Sequence, residues 1–247
     1  MRHRVYGGPA AMDNAITMHA DPQAAAMAMA AELLSVLNQH GEARPFRLAL
    51  SGGSTPKMLY SLLGQSPLRE QLPWHKLEIF WVDERCVAPN DPQSNHGMFM
   101  QAMGEKLPLE SARYHRMQGE AEPEQEALRY GQLLPQQLDW IWLGLGGDGH
   151  TASLFPGYQP VADEPLCLAT RNPHSGQNRM TLSETAIVQA LRVTFLVTGA
   201  EKAPVLTSVI QDATCNLPAA RIAQQRPVDW VLDEPAGKSF MSLSPPI

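Results

Sequence analysis

The chain has 247 residues, of which 44% are hydrophobic and 18% are charged, and this composition excludes disordered, collagen-like and charge-rich assembly proteins. Its length is ample for one large α/β domain or two small ones. The 19 lysine and arginine residues against 25 aspartate and glutamate residues give a net charge of −6, which provides no overall positive field for nucleic acid or an anionic membrane. An anionic ligand must therefore be held by local donors.

The cysteine and N-terminal patterns predict a protein of the cytoplasm. Cys86, Cys167 and Cys215 are widely spaced, odd in number and without a CxxC pair, which favours reduced thiols over a disulfide scaffold or a zinc-thiolate site. Glycines and a proline at 7–9 interrupt any secretory signal. The most apolar early segment, 24–36, is shorter than the roughly 20 residues that a membrane helix needs. We therefore expect no membrane partner.

The first half of the chain predicts strands and helices in alternation. Asp21 before Pro22 is a helix-start signal, and Gly41 is a natural stop. The predicted elements are a weak strand over 15–19, a helix from 22 to 41, a strand over 46–50, a helix opened by Thr55 and Pro56, and a strand over 77–82. The last two of these strands are short apolar runs that stop abruptly at a polar or glycine-rich loop.

The second half repeats this order. Its predicted elements are a helix over 122–134, strands over 138–145 and 192–198, a helix over 203–210 and a final strand over 228–232. Apolar strands cut off by polar loops are typical of buried parallel strands with functional loops at their carboxyl ends. The alternation predicts an α/β fold that is Rossmann-like, with a mostly parallel sheet and helices on both faces. No repeat or composition break divides the chain, so we expect a single domain over 1–247, and the proline-containing loops at 156–165 and 172–178 could carry a small excursion from the sheet.

The segment 51–56, SGGSTP, is a candidate anion site. It joins a predicted strand to a helix start, where glycines let N–H groups point at an anion, phosphate above all. It is not a Walker A loop, because Lys57 follows a proline, and proline replaces the last glycine of a G-x-S-x-G nucleophile turn. A tight turn in which Ser54 and Thr55 only cap the helix is an equal alternative.

Asp83, Glu84 and Arg85 directly follow a predicted buried strand, where a rigid scaffold would position them. One of the two carboxylates could serve as an acid or a base. The alternative is a solvated charge cluster with an internal ion pair, which is commoner for such a tripeptide.

The segment 144–149 formally satisfies G-x-G-x-x-G, but the long helix of a dinucleotide site is excluded by the proline and glycine at 156–157. The more informative feature is His150 with Asp148, because an imidazole exchanges protons near neutral pH and a neighbouring carboxylate can orient it. A metal site built from Asp148, His150 and His96 is a weaker alternative, since it lacks a spaced ligand set.

Arg179 and Lys202 are isolated cations near the ends of predicted elements. Either could be an ordinary surface charge. They become candidate phosphate donors because the predicted anion loop otherwise offers only neutral groups.

Six segments, in the same order and spanning nearly the whole chain, closely resemble the 6-phosphogluconolactonase family. They are LALSGGSTPKMLY, IFWVDERCVAPNDPQSNHG, WLGLGGDGHTASLFPG, NRMTL, FLVTGAEKA and LPAARI. The combination of DGHTASLFPG with DER followed by SN separates the chain from the related glucosamine-6-phosphate deaminases, in which a tyrosine follows the D-E pair. Cys86 departs from the family pattern, which has an aromatic residue after D-E-R.

The resemblance implies hydrolysis of 6-phospho-D-glucono-1,5-lactone to 6-phospho-D-gluconate, the second step of the oxidative pentose phosphate pathway, with no cofactor. It implies a phosphate cradle of Gly52, Gly53, Ser54 and Thr55, with charge from Arg179 and Lys202. It implies that His150 is the general base, that Asp148 orients it, that Arg85 stabilises charge on the carbonyl oxygen, and that Asp83 and Asn95 line the sugar pocket. The division of roles between Asp83 and His150 stays open.

Two other functions are weighed against this one. In an isomerase and deaminase of glucosamine 6-phosphate, Asp83 would move a proton at carbon. A sugar-phosphate sensor would bind without chemistry, but no helix-turn-helix pattern precedes the first predicted helix and the Asp148 and His150 pair is intact. We expect a small-molecule sugar-phosphate lactone as the partner, no nucleic acid, no metal, and a monomer or a weak homo-oligomer.

Overall fold

The computed structural model describes residues 2–4, 14–103 and 113–241. Its strands, in chain order, are β1 (Arg2–Arg4), β2 (Ala15–His19), β3 (Phe46–Leu50), β4 (Leu77–Trp81), β5 (Asp83–Arg85), β6 (Arg113–His115), β7 (Trp140–Leu143), β8 (Cys167–Arg171), β9 (Asn178–Leu182), β10 (Arg192–Val197) and β11 (Asp229–Asp233). Its helices are α1 (Pro22–Gln39), α2 (Ser54–Leu63), α3 (Leu68–Gln71), α4 (Asn95–Met103), α5 (Pro123–Leu133), α6 (Glu184–Val188), α7 (Ala203–Gln211), α8 (Pro218–Gln225) and α9 (Glu234–Met241).

The central sheet has the strand order β1-β2-β11-β10-β7-β3-β4-β6. Every neighbouring pair in it is parallel except β1 with β2. Connections that return to form parallel neighbours need crossover helices, which is why helices alternate with strands along the chain. The predicted mostly parallel α/β fold is confirmed.

The two faces of this sheet carry two separate hydrophobic clusters. Along β7, Trp140 and Trp142 belong to the cluster that packs under α1, α2 and α4, whereas Ile141 and Leu143 belong to the cluster under α5 to α9. This division follows from the two-residue period of a strand, whose successive side chains point to opposite faces. Since all four side chains of β7 are buried, the strand reads as an uninterrupted apolar run.

The predicted boundaries are largely confirmed where local signals are strong. The Asp21 carboxylate accepts the N–H of Ala24 at 2.8 Å and caps α1, and β2 and β3 have the predicted bounds. The helix predicted to run to Gly41 ends at Gln39, because His40 is extended. The strand predicted over 138–145 is observed as the shorter β7, Trp140–Leu143. Just before it, the Asp139 carboxylate accepts hydrogen bonds from the Arg44 guanidinium and from the N–H of Arg47.

A second, three-stranded antiparallel sheet with the order β5-β9-β8 was not predicted. The D-E-R segment, expected in a loop, forms β5 and pairs with β9. The predicted excursion at 172–178 contains the turn that joins β8 to β9. Such short, partly polar strands carry little apolar periodicity, so only tertiary pairing reveals them. Within the described residues, no helix has the length and apolarity needed to cross a membrane.

Candidate active site

A cleft of about 270 Å³ opens where the carboxyl ends of β3, β7 and β10 meet the small sheet. Ligand clefts of α/β folds lie at this edge of the sheet. The predicted site residues that line the cleft are Gly52, Gly53, Ser54, Thr55, Asp83, Arg85, Asn95, His150, Arg179 and Lys202. Asp148 is the predicted site residue that is not part of the lining, and it contacts His150 instead.

The loop after β3 presents the start of α2 to the cleft. Ser51 fixes this loop, since its hydroxyl donates to the Trp142 carbonyl at 2.5 Å and its carbonyl accepts the Tyr60 hydroxyl at 2.6 Å. Gly53 has φ +115°, a conformation that favours glycine. Among the described residues, no side chain caps α2, so the alternative in which Ser54 and Thr55 only cap the helix is wrong. The first N–H groups of α2 are left for a ligand, and the helix dipole favours an anion there.

Gly52 is required by the close approach of Asn95. A Cβ atom at position 52 would lie 1.8 Å from Asn95 Oδ1, so a larger residue there would displace the Asn95 side chain from its hydrogen bonds to Asp83. This contact joins the loop after β3 to α4, so two cleft residues from distant parts of the chain have a fixed separation.

His150 is held by the glycine-rich loop after β7. Its Nδ1 lies 2.5 Å from Asp148 Oδ1, and its backbone N–H donates to the same oxygen at 3.1 Å. A Cβ atom at Gly146 would lie 2.1 Å from His150 Nδ1, so only glycine lets the ring occupy this place. Because Asp148 engages Nδ1, Nε2 is the ring nitrogen available to a ligand in the cleft.

The environment of Asp148 favours its ionised form. Burial acts to raise the pKa of this carboxyl, but the backbone hydrogen bond and charge of His150, with a further contact from His174, outweigh it and hold the pKa below its ordinary value. His174 lies on the turn between β8 and β9, and its Nε2 is 3.4 Å from Asp148 Oδ2. The carboxylate therefore lies between two imidazoles, and sequence analysis did not identify the second one.

Asp83 is buried, with 5% of its surface exposed. Its Oδ2 accepts the Ser153 hydroxyl at 2.7 Å and its Oδ1 accepts Asn95 Nδ2 at 3.1 Å. Arg179 Nη1 lies 4.0 Å from Oδ2. Ser153 was not singled out from the sequence, although it lies in the TASLFPG segment, because nothing local shows that it reaches β5.

Arg85 and Arg179 lie directly opposite each other on β5 and β9. Like charges at opposed positions of an antiparallel pair repel, and the Nε atom of each guanidinium is buried without a hydrogen-bond partner among the described residues. Burial, followed by the charge of Arg85, lowers the pKa of Arg179. Two adjacent cations in a cleft whose donors are incompletely used are suited to an anionic ligand or to an oxygen that gains negative charge.

Glu84 points away from the cleft. It is 2% exposed, and its carboxylate accepts hydrogen bonds from Ser94 and from three backbone N–H groups. The alternative of a solvated charge cluster over 83–85 is therefore wrong, since both carboxylates are buried. Burial raises the pKa of Glu84, and the four hydrogen bonds act in the opposite direction.

Lys202 lies in a 3₁₀ turn at Ala200–Lys202 and makes no ion pair with any described residue within 4.0 Å. The turn is anchored by the buried Asp233, whose carboxylate accepts the Gly199 N–H at 3.0 Å. Thr198, before the turn, has its hydroxyl 2.8 Å from that of Thr55. Lys202 thus lacks an ion-pair partner in the described part of the chain, and it lies on the same side of the cleft as the start of α2.

The hypothetical metal site does not assemble. His96 packs against Trp81 and Tyr114, with ring centroids 5.2 and 6.0 Å away, and it is not among the residues that line the cleft. Throughout the described segments, no group of three or more histidine, cysteine or acidic side chains is placed to hold a metal ion.

Comparison with known protein families and structures gives a consistent result. Residues 20–230 match the family model for glucosamine-6-phosphate isomerases/6-phosphogluconolactonase. Proteins named 6-phosphogluconolactonase from Aggregatibacter actinomycetemcomitans and Haemophilus influenzae are each 41% identical, and the matches cover 78% of this chain and 87% and 86% of theirs.

Solved structures extend the similarity to the fold. The structure of a devB protein is 36% identical with a TM-score of 0.81, covering 91% of this chain and 99% of that one. A 6-phosphogluconolactonase from Trypanosoma brucei is 29% identical with a TM-score of 0.75, covering 91% of this chain and 97% of its own. With this similarity over nearly the whole chain, the protein belongs to the glucosamine-6-phosphate isomerase/6-phosphogluconolactonase family.

Proposed function

We propose that this protein hydrolyses 6-phospho-D-glucono-1,5-lactone to 6-phospho-D-gluconate, as the second step of the oxidative pentose phosphate pathway, with His150 as the general base. The names of its relatives support the reaction. The observation that carries the proposal is that one cleft joins the uncapped start of α2 to an imidazole held by Asp148. A phosphorylated substrate that needs only activated water matches this combination.

In the proposed reaction, His150 Nε2 takes a proton from water while the water oxygen bonds to the lactone carbonyl carbon. The bond between that carbon and the ring oxygen then breaks, and the ring oxygen receives the proton. Asp148 keeps Nδ1 protonated and stabilises the imidazolium between these steps. A positioned base of this kind contributes about 10²–10⁴-fold. A six-membered lactone is an activated ester, so no serine nucleophile or cofactor is required.

The polar groups of the cleft have proposed roles at the two ends of the substrate. The N–H groups at the start of α2, with Arg179 and Lys202, hold the 6-phosphate. Arg85 stabilises the negative charge that develops on the carbonyl oxygen. Asp83 and Asn95 bind sugar hydroxyls, for which carboxylate and amide oxygens are natural acceptors.

The setting of the protein is part of the proposal. The free thiols of Cys86, Cys167 and Cys215 support a reducing compartment, the cytoplasm. The cleft draws residues from 51 to 202, which supports one domain over 1–247 as the functional unit. We propose a monomer or a weak homo-oligomer.

The test is hydrolysis of freshly generated 6-phosphogluconolactone, coupled to 6-phosphogluconate dehydrogenase and corrected for spontaneous opening. We expect enzyme-dependent acceleration, and much weaker acceleration with unphosphorylated gluconolactone because the phosphate contacts are lost. Ammonia release from glucosamine 6-phosphate is the parallel assay. If the protein releases ammonia from glucosamine 6-phosphate but does not accelerate lactone hydrolysis, the proposed lactonase function is wrong and the deaminase function takes its place.

A further inference from the structure

We propose that Glu84 is a positioning residue that holds Asn95 and, through it, Asp83 in the geometry that the sugar end of the substrate requires; this inference rests on the proposed function. Glu84 does not line the cleft, so it does not touch the substrate. Its effect is transmitted through the residues that its carboxylate binds.

Every acceptor position of the Glu84 carboxylate is used within the protein. Oε1 accepts the N–H groups of Arg85 at 2.8 Å and Asn95 at 2.7 Å. Oε2 accepts the Ser94 hydroxyl at 2.9 Å and the His96 N–H at 2.9 Å. A buried carboxylate whose two oxygens accept four hydrogen bonds forms a rigid joint between the elements that supply the donors.

This joint fixes the start of α4 against β5. The first N–H groups of a helix lack partners within the helix and carry partial positive charge, so a buried anion there is stabilising. In α4 the anion comes from a different element, 11 and 12 residues earlier in the chain. The carboxylate therefore sets where α4 begins relative to β5.

The position of α4 determines the geometry of Asn95. Asn95 Nδ2 donates to the Asp83 carbonyl at 2.9 Å and to Asp83 Oδ1 at 3.1 Å. With both N–H bonds directed at Asp83, Oδ1 must face the other way, toward Gly52. Asn95 Oδ1 is buried and has no hydrogen-bond partner among the described residues, and Asn95 lines the cleft. It is an acceptor held ready for a donor such as a sugar hydroxyl.

Glu126 offers a matched control. It is also buried, with 3% exposed, and its carboxylate accepts the Gln118 N–H at 2.7 Å and pairs with Arg129. It is not among the residues of the cleft. Loss of its charge likewise removes hydrogen bonds to a buried carboxylate, and it does so without affecting Asn95.

The experiment is a double-mutant cycle on lactone hydrolysis with Glu84→Gln and Asn95→Ala. Glutamine keeps the size of the side chain but turns N–H donors toward the backbone N–H groups. We expect Glu84→Gln to lower kcat by about tenfold to a hundredfold, as small displacements of positioned groups do. In the Asn95→Ala background the same change should cost no more than about twofold, because residues that act as one unit are not additive.

The control and the outcomes separate positioning from folding. Glu126→Gln should leave kcat near the wild-type value and should be additive with Asn95→Ala. If circular dichroism shows that Glu84→Gln does not fold, Ser94→Ala replaces it, since this change removes one of the four donors to Glu84. We then expect a smaller loss of kcat and the same coupling to Asn95→Ala. A full-sized effect of the Glu84 or Ser94 change in the Asn95→Ala background, or no effect on kcat, would overturn the inference. Absence of lactone hydrolysis by the wild type would instead overturn the proposed function, and the inference with it.

Discussion

The cleft has two sides that present their polar groups in different ways. On the loop side, formed by residues 51–55, 144–150 and 198–202, the ligand-facing groups come from loops at the ends of parallel strands, with the helix start uncapped and Lys202 unpaired with described residues. On the network side, formed by Asp83, Arg85, Asn95 and Arg179, the polar groups are buried or half-buried side chains that contact one another. Asn95 donates to Asp83, Arg179 lies 4.0 Å from Asp83, and Arg85 lies opposite Arg179 on the neighbouring strand.

The two sides differ in what a substitution is expected to remove. Under the proposed function, a change on the loop side would remove a contact to the ligand and leave few protein groups unsatisfied. A change on the network side would remove a contact to the ligand and would also leave buried partners unsatisfied, which costs stability. Variants on the loop side should therefore alter activity with little loss of stability, whereas variants on the network side should alter activity and stability together.

The largest combined effect is expected for Asp83→Ala on the network side. It leaves the half-buried Arg179 next to Arg85 without a neighbouring carboxylate and removes the side-chain acceptor of Asn95 and Ser153. Because the Ser153 hydroxyl and the Asn95 amide lose an acceptor, we expect a loss of about 2 kcal/mol in the free energy of unfolding and a decrease of about 10²-fold in kcat. Urea denaturation and the lactone assay measure the two quantities. An unchanged unfolding free energy would contradict the network.

Lys202→Ala on the loop side should separate the two quantities. Loss of one charged donor to a phosphate costs about 1.5–3 kcal/mol, which appears as a rise in KM by about tenfold to a hundredfold with little change in kcat. The melting temperature should not change, because Lys202 has no ion pair with a described residue. Lys57→Ala is the matched control, since Lys57 is exposed and is not part of the cleft lining. A loss of kcat at constant KM would contradict the phosphate role of Lys202.

Asp148→Asn, on the loop side, should lower the free energy of unfolding slightly, by an amount that depends on pH. The pKa of Asp148 is lowered in the folded protein, so its stabilising effect is present above the unfolded pKa of about 3.9 and is lost as the pH falls through the lower folded pKa. Because the carboxylate is partly exposed, we expect less than about 1 kcal/mol at pH 7. Thermal melts of both proteins from pH 7 to 3 should converge at the acid end. A difference that grows toward low pH would contradict this sign.

Cys86 follows Arg85 in the chain but lies outside the cleft lining, so changes to it should have the smallest effect. Burial, followed by the charge of Glu84, raises the pKa of its thiol to about 11, so the reactive thiolate is scarce at pH 8. Cys86 does not line the cleft, which limits the consequence of its departure from the aromatic residue of the family. Treatment with iodoacetamide at pH 8 should leave kcat and KM within about twofold. Inactivation that Cys86→Ser prevents would contradict the expected low reactivity of this thiol and its small role in activity.

The same comparison shows what sequence patterns could predict. The loop side was predictable because its signal is local: an apolar strand, a glycine-rich loop and a helix start lie within a dozen residues, as in 46–56. The network side was predictable only in its residue types. The pairing of Arg85 with Arg179 joins positions 94 residues apart through short polar strands, and the Ser153 bond to Asp83 spans 70 residues. Hydrophobic periodicity does not report such contacts. The sequence therefore left the D-E-R segment open between a catalytic carboxylate and a solvated charge cluster, and it did not identify Ser153.

The most direct test of the account is the lactone assay on His150→Ala, with binding of 6-phosphogluconate measured in parallel by thermal shift. His150 is positioned by Asp148 and Gly146 and makes no other described hydrogen bond from its side chain. We predict that kcat falls by about 10²–10⁴-fold, while the affinity for 6-phosphogluconate and the unfolding free energy stay close to the wild-type values. A near-wild-type kcat for His150→Ala would contradict the assignment of the base and with it the proposed mechanism.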